Sequence, residues 1–138
     1  MRCVLDSSAA LAWILPGEET AATDQLLLDV GLHGAVVPAL WPIETANVLW
    51  TAERRGRITL AERTQALTIL GELPIDVDER TATLAFGAIS GLAAARDLTV
   101  YDACYLELAL RLGLALASLD TRLCQAASAA GVPLVLRG

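Results

Sequence analysis

Lysine is absent from this chain: all ten of its cations are arginines. That excludes a Walker-type phosphate loop, a Schiff base and a lysine general base. Histidine is almost absent as well. The single His33 stands between Leu32 and Gly34 in what reads as a surface loop. Neither the two-histidine acid–base pair of a metal-free ribonuclease nor a histidine-rich zinc site can be assembled from it. Cys3, Cys104 and Cys124 are odd in number, far apart and outside metal-ligand spacing, which fits buried reduced thiols rather than a disulfide framework. Long apolar runs are missing too. The longest weakly polar stretch, 84–95, contains Gly87, Ser90 and Gly91; it is too short for a bilayer span and reads as a buried helix. The N-terminus, with Arg2 and Asp6, has no long apolar segment of the secretory type, so the expected location is the cytoplasm. A net charge of −6 argues against a generic basic nucleic-acid surface.

What remains is enough apolar material for one core. An apolar fraction of 55% and a mean hydropathy of +0.53, with no linker and no internal repeat, indicate a single domain over 1–138. Apolar Cys3-Val4-Leu5 reads as a strand buried on both faces, and 9–15 as a helix closed by Pro16-Gly17. A helix follows over 18–32, ended by Gly34, then a strand at 35–38. A proline near its first turn opens a helix over 42–55 that stops before Gly56. Thr59 and Glu62 form a capping-box pattern for a helix to about Leu70. A strand at 75–77, a long helix over 78–96, a helix over 100–113 capped by Thr99, a strand at 114–118 and a helix over 121–130 complete the alternation. The last segment, 132–136, reads as an edge strand because of Pro133. This order predicts a mostly parallel sheet covered by helices on both faces.

In such a sheet the residues just past the strand ends share one rim, where ligands of open α/β folds bind. Asp6 and Asp120 both stand there, each after an apolar strand and before a hydroxyl residue and a helix. Capping a helix N-terminus is the ordinary use of such an Asp. On the helix over 100–113, Glu107 lies about 140° and Arg111 about 180° around from Asp102. Spaced four apart, they mark a solvated face, which turns Asp102 inward beside Tyr101, Cys104 and Tyr105. Glu44 lies about 180° from Glu53, at the dry start of its helix, on a stripe with Asn47, Val48 and Thr51. Two carboxylates about 4 Å apart repel by roughly 4 kcal/mol at an effective dielectric of about 20, more than the ~1 kcal/mol a cap contributes. Without lysine to neutralise them, these acids are either partly protonated or gathered around a divalent cation. Oxygen-only ligands suit Mg²⁺ or Mn²⁺.

Four segments, VLDSSA, PIETANVLW, LTVYDACYLELALRLG and LALASLDTRL, occur in an order that resembles the PIN-domain ribonucleases, specifically the VapC toxins of toxin–antitoxin pairs. The resemblance runs over essentially the whole chain. It implies a three-layer α/β/α domain around a five-stranded, mostly parallel sheet. Its acidic set falls on Asp6, Glu44, Asp102 and Asp120, holding Mg²⁺ or Mn²⁺, with Ser118 as the hydroxyl residue that orders the site. The implied chemistry is endonucleolytic hydrolysis of RNA by a metal-activated water, leaving 5′-phosphate and 3′-hydroxyl ends, with Glu44 or Asp120 orienting the water. It also implies a cognate VapB-type antitoxin that covers the acidic site, and a homodimer.

An acidic protein must still hold an acidic polymer. The best local basic segment is ERRGRITLAER, whose Arg54, Arg55 and Arg57 sit between two helices and are candidates for phosphate contact. Trp13, Trp41 and Trp50 would stack on bases only if they left the apolar helix faces. Two other readings compete. One is a metal-dependent phosphohydrolase of another α/β fold with Asp6 as nucleophile, although Ser8 stands where a second Asp is usual and the phosphate-binding lysine is missing. The other is a non-catalytic RNA- or protein-binding domain that has kept the fold.

Overall fold

The structure, a computed structural model, describes residues 2–136. Its frame is a set of very short strands: β1 (Cys3–Leu5), β2 (Ala35–Val37), β3 (Ile75–Val77) and β4 (Leu116–Ala117). All pair in parallel in the order β3-β2-β1-β4, with Val4 opposite both Val36 and Leu116. β1, β2 and β4 are buried throughout, as unbroken apolar runs require of strands covered on both faces. β3 is the open edge, and Asp76 on it meets Arg2 at 3.4 Å. Such a charge on an edge strand discourages further pairing.

The sheet has four strands, not the five expected. The segment 132–136 makes a single parallel bridge, Leu116 with Leu134. Pro133 has no N–H to give and offers only its carbonyl to Leu116 N (2.9 Å), while Val135 N returns to Leu116 O (2.9 Å), so no ladder extends from that bridge. The two expected residue spans of β4 and the last strand contract together for this reason.

The helices are α1 (Ser7–Leu11), α2 (Ala21–His33), α3 (Leu40–Arg54), α4 (Leu60–Glu72), α5 (Thr81–Leu84), α6 (Ser90–Arg96), α7 (Val100–Leu112) and α8 (Thr121–Ala129). α1 starts directly after Asp6, two residues before the expected point, and gives way to turns before Pro16. Thr20 and Thr59 both build capping boxes, the second with Glu62 as expected. His33 is the exposed last residue of α2 rather than a loop residue. Gly34 follows at φ +81°, and a Cβ there would lie 2.9 Å from the Pro74 carbonyl, so only glycine lets β2 start this close to β3. The chain steps outward from β1 to β3 with α1–α4 in the connections and returns to β4 through α5–α7, so crossovers of the usual right hand put the two groups of helices on opposite faces.

Two helix expectations fail. The long helix over 78–96 is broken into α5, a π-helical turn (Ala85–Ile89) and α6. Of the stretch 84–95 only Ile89 and Ala93 are buried, and Phe86 is fully exposed, so the segment is a surface helix with one inward stripe. The second failure concerns α7. Glu107 is buried and Arg111 half-buried. Arg111 donates to Glu107 (2.9 Å) and through two nitrogens to Asp78 (2.7 and 3.1 Å). The i,i+4 pair marks an internal ion triad, because Asp78, just past β3, supplies a second carboxylate that a helical wheel of α7 does not display.

The core spans both faces of the sheet, with Val4, Leu5, Val37, Leu49, Tyr105, Leu106, Leu108 and Leu116 at its centre. A smaller cluster of Ile89, Ala93, Ala103 and Cys104, with Leu40 and Leu84 against it, joins the starts of α3 and α7 to the π turn. All three cysteines are free thiols; burial pushes Cys3 and Cys104 up to about 11, so they are inert core groups.

Candidate active site

Asp6 occupies the N-cap position of α1, yet its side chain makes no capping hydrogen bond. Its Oδ2 accepts instead from the hydroxyls of Ser8 (2.6 Å) and Ser118 (2.7 Å). These hydroxyls in turn accept the backbone N–H groups of Leu119 (to Ser8, 2.9 Å) and Asp120 (to Ser118, 3.0 Å). The network stitches the end of β1 to the end of β4, and leaves Oδ1 of Asp6 without a protein partner among these bonds. A buried carboxylate that declines the cap on offer has another use.

Asp120 does cap its helix: Oδ1 accepts from Leu123 N at 2.9 Å, leaving Oδ2. On α3, Glu44 Oε1 accepts a 2.7 Å hydrogen bond from the Tyr105 hydroxyl, and Tyr105 is itself buried on α7, one turn below Asp102. Asp102 is half-buried in the first turn of α7, whose start Thr99 caps by accepting from Asp102 N at 3.1 Å. Three of the four acids thus have one oxygen fixed by protein donors and a second one unspent.

Electrostatics place the four in one field. Burial raises the Asp6 carboxyl above its usual range, against the relief given by Ser8 and Ser118, and Glu44 and Asp120 raise it further. Asp102 is pushed up to about 6, first by burial and then by Asp120, Asp6 and Glu44. Among the described residues no arginine is paired with these four acids, and Arg111, the least exposed of the paired arginines, is committed to Asp78 and Glu107. Among the described residues no three acid, thiol or imidazole groups form a ready-made metal cage. The donor set, carboxylate oxygens only, three of the four acids with one oxygen already held by a protein donor, is of the kind that suits Mg²⁺ or Mn²⁺, which takes few protein ligands and keeps its waters. Asp6, Glu44, Asp102 and Asp120 would be the holders.

Two residues of this site escape a reading of the sequence. Ser8 is legible there only as one of two serines after Asp6; its spacing of two from a carboxylate is the signal. Tyr105 reads as an apolar neighbour, although a buried phenol needs an acceptor and stands three residues after Asp102.

The basic hairpin lies elsewhere, at the far end of α3. Arg54 stacks over Trp50 at 6.0 Å, and Arg63 does so at 5.3 Å while paired with Glu53. Arg55 and Arg57 line a pocket of about 270 Å³ with Asn47, Val48, Thr51 and Ala52. Trp41 is buried and Trp13 is half-buried, bonded to Thr23 O at 2.8 Å, so Trp50 alone of the three is substantially exposed.

Comparison with known families gives a match to the PIN domain over residues 3–129. The chain belongs to the PIN domain family. It is 30% identical over 126 residues to Ribonuclease VapC3 of Pyrobaculum aerophilum, covering 91% of this chain and 94% of that protein. The crystal structure of PAE2754 from the same organism superposes with a TM-score of 0.70 at 24% identity, covering 98% of this chain and 90% of that one, a likeness of fold. In this PIN domain the acids lie where β1, α3, α7 and α8 begin or end, on the rim that the parallel sheet provides. No helix among the described residues is long and apolar enough to cross a membrane.

Proposed function

We propose that this PIN domain is a metal-dependent endoribonuclease, the toxin of a toxin–antitoxin pair, acting in the cytoplasm. The observation that carries the reading is Asp6, which sits at a helix start without capping it, has Oδ2 held by Ser8 and Ser118, and feels the charges of Glu44 and Asp120. The similarity to Ribonuclease VapC3 supports the substrate class.

When bound, Mg²⁺ or Mn²⁺ would supply a water of lowered pKa and charge neutralisation at the phosphodiester. The chain's own residues do the rest. Asp6 and Asp102 present oxygens to the cation. The free oxygen of Glu44, set by Tyr105, or that of Asp120, set by its cap on α8, orients the attacking water. Ser118 fixes Asp6 and the Asp120 backbone together. Hydrolysis by water rather than by the ribose hydroxyl leaves 5′-phosphate and 3′-hydroxyl ends. Arginines of the α3–α4 hairpin hold the strand. A VapB-type antitoxin is the partner that covers the acids. Exposed Ile43, Phe86 and Tyr101, on elements that meet around the small cluster of Ile89 and Cys104, supply the contact of a homodimer.

Cleavage of RNA should stop in excess EDTA and return with Mg²⁺ or Mn²⁺, and Asp6→Asn should lower it about a hundredfold or more while remaining folded. Cleavage that continues in EDTA would sink the mechanism.

A further inference from the structure

Glu44 stands near the start of α3, and the helix repeat carries its face onward to Asn47, Thr51 and Arg55, which lie about 60°, 20° and 20° around from it. Trp50 and Arg54 fall about 120° and 80° away, on a different flank. The stripe ends about 16 Å from Glu44 along the axis, in the pocket that Arg55 and Arg57 share with Asn47 and Thr51. Every other arginine of this hairpin is engaged: Arg63 by Glu53 and Trp50, Arg54 by Trp50. Among the described residues Arg55 and Arg57 have no carboxylate within ion-pair distance. In a chain with net charge −6, two arginines without a carboxylate partner that line one pocket beside Asn47 and Thr51 suit an anion.

We propose that this pocket is a phosphate subsite for single-stranded RNA, several nucleotides removed from the bond that is cut. It rests on the cleavage reading above, because the strand it holds is the one that reaches the acidic rim along the Asn47–Thr51 stripe. The acid centre repels a polyanion, so affinity has to come from cations placed away from it. The guanidinium groups grip a backbone phosphate, and Asn47 and Thr51 offer hydrogen bonds to neighbouring phosphate or ribose oxygens. These groups read no base. They set register and minimum substrate length: a strand too short to span from rim to pocket is not gripped. An acidic peptide would satisfy the same cations, but Asn47 and Thr51, which stand beside Val48 on the Glu44 face of α3, favour the polymer whose diester the rim would cleave.

The test compares binding of a fluorescein-labelled single-stranded oligoribonucleotide, by anisotropy without divalent metal, to the unmodified chain, to Arg55→Ala with Arg57→Ala, and to Arg96→Ala with Arg122→Ala. The last pair removes the same charge from α6 and α8. Thermal melting checks folding of each. The Arg55/Arg57 variant is expected to bind about tenfold more weakly, and its log–log salt slope to flatten by about 0.7 for each phosphate no longer neutralised. The charge-matched variant should stay within about twofold. Equal weakening of both variants, or an unchanged salt slope, would overturn the subsite. So would a fall in affinity of the Arg55/Arg57 variant for a polyglutamate peptide alone. Hydrolysis of bis(p-nitrophenyl) phosphate by the unmodified chain with Mn²⁺ reports on the acid centre separately, so failure of the cleavage reading and failure of the subsite are told apart.

Discussion

The Tyr105 hydroxyl donates a 2.7 Å hydrogen bond to Glu44 Oε1 and so ties the helix that bears Asp102 to the helix that bears Glu44. The phenol is buried, and burial together with this bond raises its pKa, so it is a permanent donor. Glu44 is thereby limited to one free oxygen and one orientation. Tyr105→Phe, which keeps the ring, should cost about 1 kcal/mol of stability and roughly 10–100-fold in Mg²⁺ affinity or cleavage rate. Calorimetric titration with Mg²⁺ beside a cleavage assay would check it. If both survive at the unmodified level, the bond only packs the core.

The Arg111–Asp78 pair makes stability depend on acid. Hydrogen bonds from Arg111 hold the Asp78 carboxyl below the ordinary range, with Thr81 and the Arg80 backbone helping. A carboxyl lowered in the folded state contributes fully above its unfolded value, about 4, and that contribution is lost as pH falls through the folded value. Asp78→Asn should therefore cost about 2–3 kcal/mol at pH 7, by denaturant melts, and the gap should close below about pH 4. A gap that stays constant from about pH 7 to about pH 3 would remove the ion pair as its cause.

Phe86, fully exposed on the π turn, is the residue through which the proposed homodimer contact is tested. Phe86→Ser should leave the melting temperature of the monomer within about 2 °C and shift self-association toward monomer, by sedimentation velocity across concentration. Unchanged association would move the contact to another face.

The order of strands and helices was legible because it rests on local chemistry: apolar runs, caps, and the carboxylates Asp6 and Asp120 that follow strand ends. Where the sequence misled, a distant partner decided. Glu107 and Arg111 resemble a solvated pair until Asp78 arrives from the end of β3. The helix over 78–96 has helical composition throughout, and its π turn over Ala85–Ile89 carries no local signal. Pro133 correctly marked an edge, and the same missing N–H then reduced the expected fifth strand to one bridge. The arginines of the hairpin look equivalent in sequence; Trp50 separates them by engaging Arg54 and Arg63 and leaving Arg55 and Arg57 to the pocket.

The four acids all stand at or near helix beginnings: Asp6 before α1, Glu44 one turn into α3, Asp102 in the first turn of α7 and Asp120 before α8. Helix ends fray at lower free energy than the body of a fold opens, and the strands beneath are only two or three residues long. On warming, the constellation would come apart while the middles of the helices still give their full circular-dichroism signal. Heat inactivation would then precede the global melt and reverse on cooling, a thermal fuse made from nothing more than short strands and helix starts.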